Sequence, residues 1–166
     1  MISVDGRVEH RVACGLLVRS AHVLSAHRSS TKAWYPHVWD FPGGHLEPGE
    51  SSLRAPVREL REELDVEIDP PAGGPVRVLE MADARIEIWR IVSWDGVVTN
   101  AAPEEHDAIG WFTAREAAAL DLADARYPQL IRDALIWAAA LPGAPRMLPS
   151  HAPSTEGPGP RRDRRS

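Results

Sequence analysis

The sequence contains very little cysteine and no long hydrophobic segment. Cys14 is the single cysteine among 166 residues, which excludes an internal disulfide. It lies in the apolar run 12–18, so we interpret it as a buried thiol rather than a nucleophile. No apolar run approaches membrane-spanning length, and the first ten residues are too polar for a signal peptide. We therefore expect a cytoplasmic protein that does not associate with membranes.

The sequence also lacks an excess of positive charge. Its formal net charge is −5 at pH 7, so we expect no polymeric nucleic acid as a partner. Residues 142–166 hold six of the fifteen prolines, five arginines and two acidic residues. Subtracting their charge of +3 leaves residues 1–141 at −8. We expect one folded domain over residues 1–141 and a disordered Pro/Gly/Arg-rich tail over residues 142–166.

Hydrophobic periodicity predicts strands on both sides of a central helix. Apolar runs predict a hairpin of strands at 12–18 and 23–27, an irregular loop at 28–37 and a short strand at 39–41. Later strands are predicted at 76–81, 85–94 and 108–112. A capping box at 113–116 and a Tyr-Pro pair at 127–128 begin the last two predicted helices.

The most informative segment is Phe41–Val66, in which a glycine turn precedes the central helix. At ~100° per residue, one side of this helix is an apolar stripe of Leu53, Val57, Leu60 and Leu64. The opposite side groups Arg58, Glu59, Glu62 and Glu63. Carboxylates this close repel one another, and a hard divalent cation would relieve that repulsion. A solvated acidic face is the alternative interpretation.

We expect Ser51 to be the N-cap of this helix. That start places Pro56 inside the helix, where it would break a hydrogen bond.

The spacing of these residues resembles the signature of the Nudix family, G-x5-E-x7-R-E-U-x-E-E-x-G-U, in which U is a bulky aliphatic residue. The match extends from Gly44 to Val66, and every specified position agrees except the second glycine, which is Asp65 here. Aspartate tolerates the left-handed conformation that glycine would adopt, so we expect Asp65 to preserve activity. The resemblance implies an α/β (α+β) fold, the Nudix-like α/β/α sandwich with a mixed β-sheet between helices. It also implies a pyrophosphohydrolase that cleaves a nucleoside diphosphate linked to another group.

The resemblance implies a metal site and a catalytic role for each of its charged positions. Glu59, Glu62 and Glu63 would ligate Mg²⁺, with the Gly43 carbonyl as a further ligand and Mn²⁺ as an alternative ion. In the family's MutT-like branch, the acid matching Glu59 is also assigned as the general base. Arg58 would orient the glutamates through a charge-assisted fork.

Family members often supply another acid from a later loop. We predict that Glu105 completes the catalytic site, with Glu104 as the alternative. Both would be merely solvated loop acids in the opposing interpretation.

Positions that contact the nucleotide in the MutT-like branch are also present. They are Arg28 and the segment Asp40-Phe41-Pro42-Gly43. Three aromatic residues, Trp34, Tyr35 and Tyr127, would either stack on a base or pack within the protein. Three histidines lack metal-ligand spacing and are expected at the surface, namely His37, His45 and His106.

Three functions agree with the sequence. The first is Mg²⁺-dependent hydrolysis of a nucleoside triphosphate to monophosphate and pyrophosphate, including oxidised nucleotides, by a MutT-like enzyme. The second is hydrolysis of a nucleotide sugar, ADP-ribose or a dinucleoside polyphosphate, and the third is non-catalytic nucleotide binding by a regulator. In each case the partner is a small nucleotide, and the protein is expected to be a monomer or homodimer.

Overall fold

A computed structural model describes residues 10–142 of the chain, so the predicted tail lies outside the described residues except for Pro142. Seven strands lie within these residues: β1 (His10–Arg19), β2 (His22–Arg28), β3 (Trp39–Asp40), β4 (Gly43–His45), β5 (Arg77–Glu80), β6 (Ala84–Ile91) and β7 (His106–Phe112). The helices are α1 (Ala55–Leu64), α2 (Ala114–Ala118) and α3 (Tyr127–Ala139). No helix in this described range is long and apolar enough to cross a bilayer.

The strands form one mixed sheet. Its main path runs in the order β3-β2-β1-β6-β5, while β4 pairs with β1 and β7 pairs with β2. The β1–β6 pair is parallel, from His10 opposite Ala84 to Leu17 opposite Ile91. The other pairs of named strands are antiparallel. The predicted hairpin is confirmed, whereas β4 lies where only a glycine turn was expected.

The β1–β2 hairpin opens away from its turn. The two strands pair directly only near the turn, where Val18 lies opposite Val23 and Arg19 opposite His22. Farther along, β3 pairs with β2 and β4 pairs with β1. Since β6 and β7 occupy the outer edges of β1 and β2, β3 and β4 must lie in the gap between them. The segment Trp39–His45 is thereby placed in the middle of the sheet.

Helices cover both faces of the sheet. Leu60 and Leu64 of α1 pack with Leu17 and Leu24 on one face. Alternate residues of β1, including Leu16, face the other side and pack with a cluster that contains residues of α2 and α3. Each fully buried leucine contributes roughly 1.5–3 kcal/mol of hydrophobic stabilisation. The predicted α/β/α sandwich with a mixed sheet is confirmed.

Helix α1 begins later than the sequence predicted. Its N-cap is Arg54, and no side chain caps it, so the expectation of a Ser51 cap is wrong. The Ser51 carbonyl instead accepts hydrogen bonds from the N–H groups of Arg54 and Ala55, at 3.0 and 3.1 Å. Pro56 is consequently the second helical residue, where a missing N–H leaves no intrahelical bond unmade.

Helix α1 ends at Asp65 in the left-handed conformation, with φ 57° and ψ 39°. The Asp65 N–H donates to the Arg61 carbonyl at 3.2 Å. This confirms that aspartate adopts the backbone conformation expected of the glycine in the signature. The chain can therefore turn after α1 without distorting the residues that precede it.

Candidate active site

Gly43 occupies a position where no side chain fits. A β-carbon there would overlap the carbonyl oxygen of Ala13 and lie 2.6 Å from Cα of Cys14. Its φ of +151° is also a conformation that other residues rarely adopt. The close approach of β4 to β1 therefore requires glycine at this position.

The backbone of Gly43 points away from β1. The Gly15 N–H donates to the Pro42 carbonyl at 2.8 Å, so the carbonyl of Pro42 faces β1. Backbone groups of successive strand residues point to opposite sides, so the N–H and C=O of Gly43 face away from β1. The Gly43 N–H donates to Oε2 of Glu63 at 3.0 Å. Because N–H and C=O of one strand residue point to the same side, the Gly43 carbonyl is directed toward the region of Glu63.

Glu63 is a buried carboxylate, with only 2% of its surface exposed. Burial raises its pKa well above the usual range, and the charges of Glu59 and Glu105 raise the pKa further. The hydrogen bond from Gly43 acts in the opposite direction. The ionised form of Glu63 is therefore costly in the protein alone.

Arg58 connects three glutamates across the start of α1. Its Nε and Nη2 donate to the two carboxylate oxygens of Glu50, at 2.9 and 2.8 Å. Its Nη1 donates to Glu59 at 2.8 Å and to Glu62 at 3.3 Å. The paired bonds fix both the guanidinium and the carboxylates, so Arg58 has the geometry of an orienting residue.

The exposure of the three helix glutamates differs. Glu59 is 8% exposed, and burial raises its pKa although the Arg58 hydrogen bond lowers it. The Glu62 side chain is 58% exposed. The set thus combines two buried carboxylates, which lie against Gly43 and Gly44 of β4, with one that reaches into solvent.

Glu105 lies near Glu63, with one ligand atom of each within 4.8 Å of the other. Its side chain is 40% exposed and forms an ion pair with Lys32, which lowers its pKa. Glu104 is exposed. Lys32 was not singled out from the sequence, because a lysine in a polar loop carries no signal of its partner.

His106 is buried, so the expectation that it lies at the surface is wrong. It is only 4% exposed, at the point where β7 pairs with Arg28 of β2. Burial lowers its pKa, which favours the neutral imidazole. The other two histidines in that expectation, His37 and His45, are exposed.

The arrangement has the donor chemistry of a divalent-cation site. Three residues, Glu63, Glu105 and His106, each offer one ligand atom, and these three atoms all lie within 4.8 Å of one another. Carboxylate and carbonyl oxygens are the ligands that hard divalent cations prefer. Bound cations would offset the repulsion that raises the pKa of Glu59 and Glu63. The residues present therefore fit such an ion.

Arg28 and Asp40, both predicted to contact substrate, contact each other, and Arg28 also contacts the loop that follows β2. Arg28 donates to the carbonyl oxygens of Trp34 and Tyr35 at 2.8–3.2 Å. Its Nη1 is 3.7 Å from Asp40. Asp40 also accepts a hydrogen bond from the Tyr127 hydroxyl at 3.0 Å. The guanidinium is thus engaged in holding the 29–37 loop.

The aromatic residues divide into exposed and buried ones. Trp34 and Tyr35 are 51% and 54% exposed, and the Trp34 ring is 5.1 Å from that of His10. Tyr127 is 2% exposed and stacks on Phe41 at 4.4 Å, so it packs within the protein. The side chains of Phe41 and Pro42 are buried as well, so their predicted contact with substrate would have to use backbone atoms.

Comparison with known proteins identifies the family to which most of the chain is similar. The NUDIX domain model matches residues 9–134. The chain is 31% identical over 121 residues to the CTP pyrophosphohydrolase of Escherichia coli (strain K12), an alignment covering 72% of this chain and 87% of that protein. It is 30% identical over 128 residues to nucleoside triphosphatase NudI of Enterobacter sp. (strain 638), covering 70% and 91%.

A solved structure shows the same fold at lower identity. The MutT NUDIX hydrolase from Burkholderia pseudomallei aligns with a TM-score of 0.63 and 22% identity, over 77% of this chain and 96% of that one. With the family model matching most of the chain, the protein belongs to the Nudix family and is a hydrolase of that family.

Proposed function

We propose that this protein hydrolyses a nucleoside triphosphate to the monophosphate and pyrophosphate, at a Mg²⁺ site formed by Glu59, Glu62, Glu63 and the Gly43 carbonyl. Water adds across one phosphoanhydride bond, so one P–O bond forms and one breaks. The observation that carries the proposal is the network in which Arg58 binds Glu59 and Glu62 while Gly43 binds Glu63. Mn²⁺ is the expected substitute ion.

The relatives support a triphosphate as the substrate. The two compared above are named as a CTP pyrophosphohydrolase and a nucleoside triphosphatase, and this chain covers 87% and 91% of their lengths. Nucleotide sugars, ADP-ribose and dinucleoside polyphosphates are the competing substrates.

The residues of the site have separate roles in this proposal. Bound Mg²⁺ would neutralise phosphate charge and lower the pKa of a coordinated water. Arg58 holds one oxygen of Glu59, which leaves the other oxygen free to accept a proton from the attacking water. Gly43 holds Oε2 of Glu63, and Lys32 holds Glu105 beside it. The carboxylates are thus positioned before substrate arrives.

The nucleotide end of the substrate is assigned to the loop that Arg28 holds. Trp34 exposes half of its surface there, and every base offers a face on which an indole can stack. Trp34→Ala should raise KM several-fold and leave kcat within twofold. An unchanged KM would remove Trp34 from the nucleotide site. Asp40 would position this loop through its contact with Arg28. The side chains of Phe41 and Pro42 are buried and would support the loop without contacting the base.

The experiment is a product assay on a substrate panel. Nucleoside triphosphates, oxidised purine nucleotides and the competing conjugates are incubated with the protein and Mg²⁺, and products are identified by mass. Monophosphate plus pyrophosphate from a triphosphate is the expected result. Products from conjugates alone would reject a triphosphate substrate, and no turnover with any metal would support a non-catalytic binding protein.

A pair of variants tests the metal site itself. Glu62→Gln should reduce turnover by orders of magnitude and leave the fold intact, because the Glu62 side chain is 58% exposed. Glu67→Gln is the matched control, since Glu67 is similarly exposed and pairs with Arg61 outside the site. Equal turnover in both variants would refute the assignment of Glu62.

A further inference from the structure

The position of His106 is fixed by its backbone. It is the first residue of β7, where it pairs with Arg28 of β2. Its N–H donates to the Ala102 carbonyl at 3.0 Å, and its carbonyl accepts from Nδ2 of Asn100 at 2.8 Å. With 4% of its surface exposed, the imidazole has little freedom to turn toward solvent.

The imidazole ring has no adequate hydrogen-bond partner. Within residues 10–142, Nδ1 is buried without one. Nε2 lies 3.9 Å from Oε2 of Glu63, which is too long for a hydrogen bond. A buried polar atom without a partner is costly, so Nδ1 needs a bound water, and Nε2, the nitrogen nearest Glu63, is left to bind a ligand.

The spacing suits two ligands of one ion better than a direct contact. Metal–ligand bonds of about 2.1 Å place neighbouring ligands about 3.0 Å apart and opposite ligands about 4.2 Å apart in an octahedron. The 3.9 Å between Nε2 of His106 and Oε2 of Glu63 lies between these two values, so a small shift of either side chain would let both atoms bind one ion. A ligand atom of Glu105 belongs to the same group, in which all distances are within 4.8 Å.

We infer that His106 is a nitrogen ligand of a divalent ion that it shares with Glu63 and Glu105, so that the substitute ion Mn²⁺ binds this site more tightly than Mg²⁺ does. The inference rests on the proposed metal-dependent function. Imidazole nitrogen binds transition metals well, whereas Mg²⁺ strongly prefers oxygen. The helix carboxylates and the Gly43 carbonyl supply oxygen ligands, and His106 adds the selectivity.

The test is electron spin-echo spectroscopy of Mn²⁺ bound to the metal-free full chain. Wild-type protein should show nitrogen modulation from a directly bound imidazole, and labelling histidine with ¹⁵N should change its frequency. His106→Gln and His106→Asn should both abolish the modulation. They should also weaken Mn²⁺ binding about tenfold or more, with Mg²⁺ affinity changed less than about twofold.

His45→Gln is the matched control, because His45 is an exposed histidine next to Gly44 in β4. It should retain the nitrogen modulation. Bound Mn²⁺ without nitrogen modulation in the wild type would overturn the inference, as would modulation that survives in the folded His106 variants or disappears in His45→Gln. Should both His106 variants fail to fold, a variant in which the other six histidines are replaced by glutamine isolates His106: retained modulation supports the inference and its loss overturns it.

The outcome is separable from the proposed function. If products form and bound Mn²⁺ shows no histidine nitrogen, only the role of His106 is rejected. If no substrate is hydrolysed but the nitrogen signal depends on His106, the metal ligand stands and the proposed reaction falls. Absence of any Mn²⁺ binding would overturn the ligand assignment.

Discussion

A β-carbon on Gly44 would lie 2.5 Å from Oε1 of Glu59 and 2.8 Å from its carboxyl carbon. The missing side chain at Gly44 thus leaves the space that the Glu59 carboxylate occupies. Arg58 fixes the same oxygen from the other side, at 2.8 Å. The position of Glu59 therefore depends on residues of both the turn and the helix.

Gly44→Ala should displace Glu59 and reduce kcat about 10- to 100-fold, since a 1 Å shift of a catalytic group costs about that much. The fold should remain, because the clash falls on the end of a side chain. Steady-state kinetics and thermal unfolding measure the two effects. Gly74→Ala is the control, as its added carbon meets nothing within 4 Å. Wild-type kcat in Gly44→Ala would show that Glu59 tolerates displacement.

Glu63→Gln should stabilise the metal-free protein while reducing hydrolysis by orders of magnitude. Glutamine removes a buried charge and can still accept the hydrogen bond from Gly43. We expect Tm to rise by about 2–8 °C without metal, a change of about 1–2 kcal/mol. Calorimetry with and without Mg²⁺ measures this, and the increase in Tm that Mg²⁺ gives the wild type should largely vanish in the variant.

The control for Glu63→Gln is another buried glutamate that has a cationic partner. Glu87 is 8% exposed and accepts from Nε of Arg85 at 3.1 Å. Glu87→Gln should lower Tm rather than raise it, because its charge is compensated. A fall in Tm for Glu63→Gln would contradict the view that its charge is held at a cost to stability.

Glu50→Gln should destabilise the protein in a pH-dependent manner. Hydrogen bonds from Arg58 hold the pKa of Glu50 below its usual value of 4.5. Such a carboxylate stabilises the fold above the unfolded-state pKa, and this stabilisation is lost as pH falls through the lower folded-state pKa. Urea unfolding should show a loss of about 1–2 kcal/mol at pH 7. The difference from the wild type should shrink below pH 4.5.

A neighbouring glutamate provides the comparison for Glu50. Glu47 lies 3.7 Å from Arg58 and its side chain is 64% exposed, so Glu47→Gln should change stability by less than about 0.5 kcal/mol. If the loss of unfolding free energy in Glu50→Gln stayed constant down to pH 3, the charge of the Glu50 carboxylate would not be the cause of that loss.

Asp65→Gly should leave turnover within a few-fold of the wild type. Asp65 already has the left-handed conformation, so glycine needs no rearrangement and avoids a penalty of up to about 1–2 kcal/mol. Chemical denaturation should show equal or higher stability, whereas Asp65→Val should be less stable. Restoration of full activity by Asp65→Gly in an otherwise inactive protein would mean that the natural signature is defective.

The sequence predicted those parts of the site that lie on one helix. The leucine stripe that ends in Leu60 and Leu64 places Glu59, Glu62 and Glu63 together, because helical periodicity alone determines their side of α1. The start of α1 was wrong by several residues, since a turn closed by the Ser51 carbonyl precedes it.

Contacts between distant segments were harder to predict. His106 is buried where β7 pairs with β2 opposite Arg28, and the spacing of residues along the chain does not predict which strands pair. Arg28 was predicted to contact substrate, and that contact stays a prediction. Its hydrogen bonds to the Trp34 and Tyr35 carbonyls were not predicted, because they depend on the path of the loop that follows β2. The choice of Glu105 over Glu104 rested on the family pattern, and Glu105 has the nearer position.

The open hairpin gives a bound ion a mechanical role. Gly43 lies in the gap between β1 and β2, twenty residues before Glu63 on α1, and Glu105 precedes β7 on the far edge of β2. An ion held by all three would act as a reversible cross-link between the helix and both halves of the sheet. In a chain whose single cysteine allows no internal disulfide, a chelator would remove that cross-link without breaking a covalent bond.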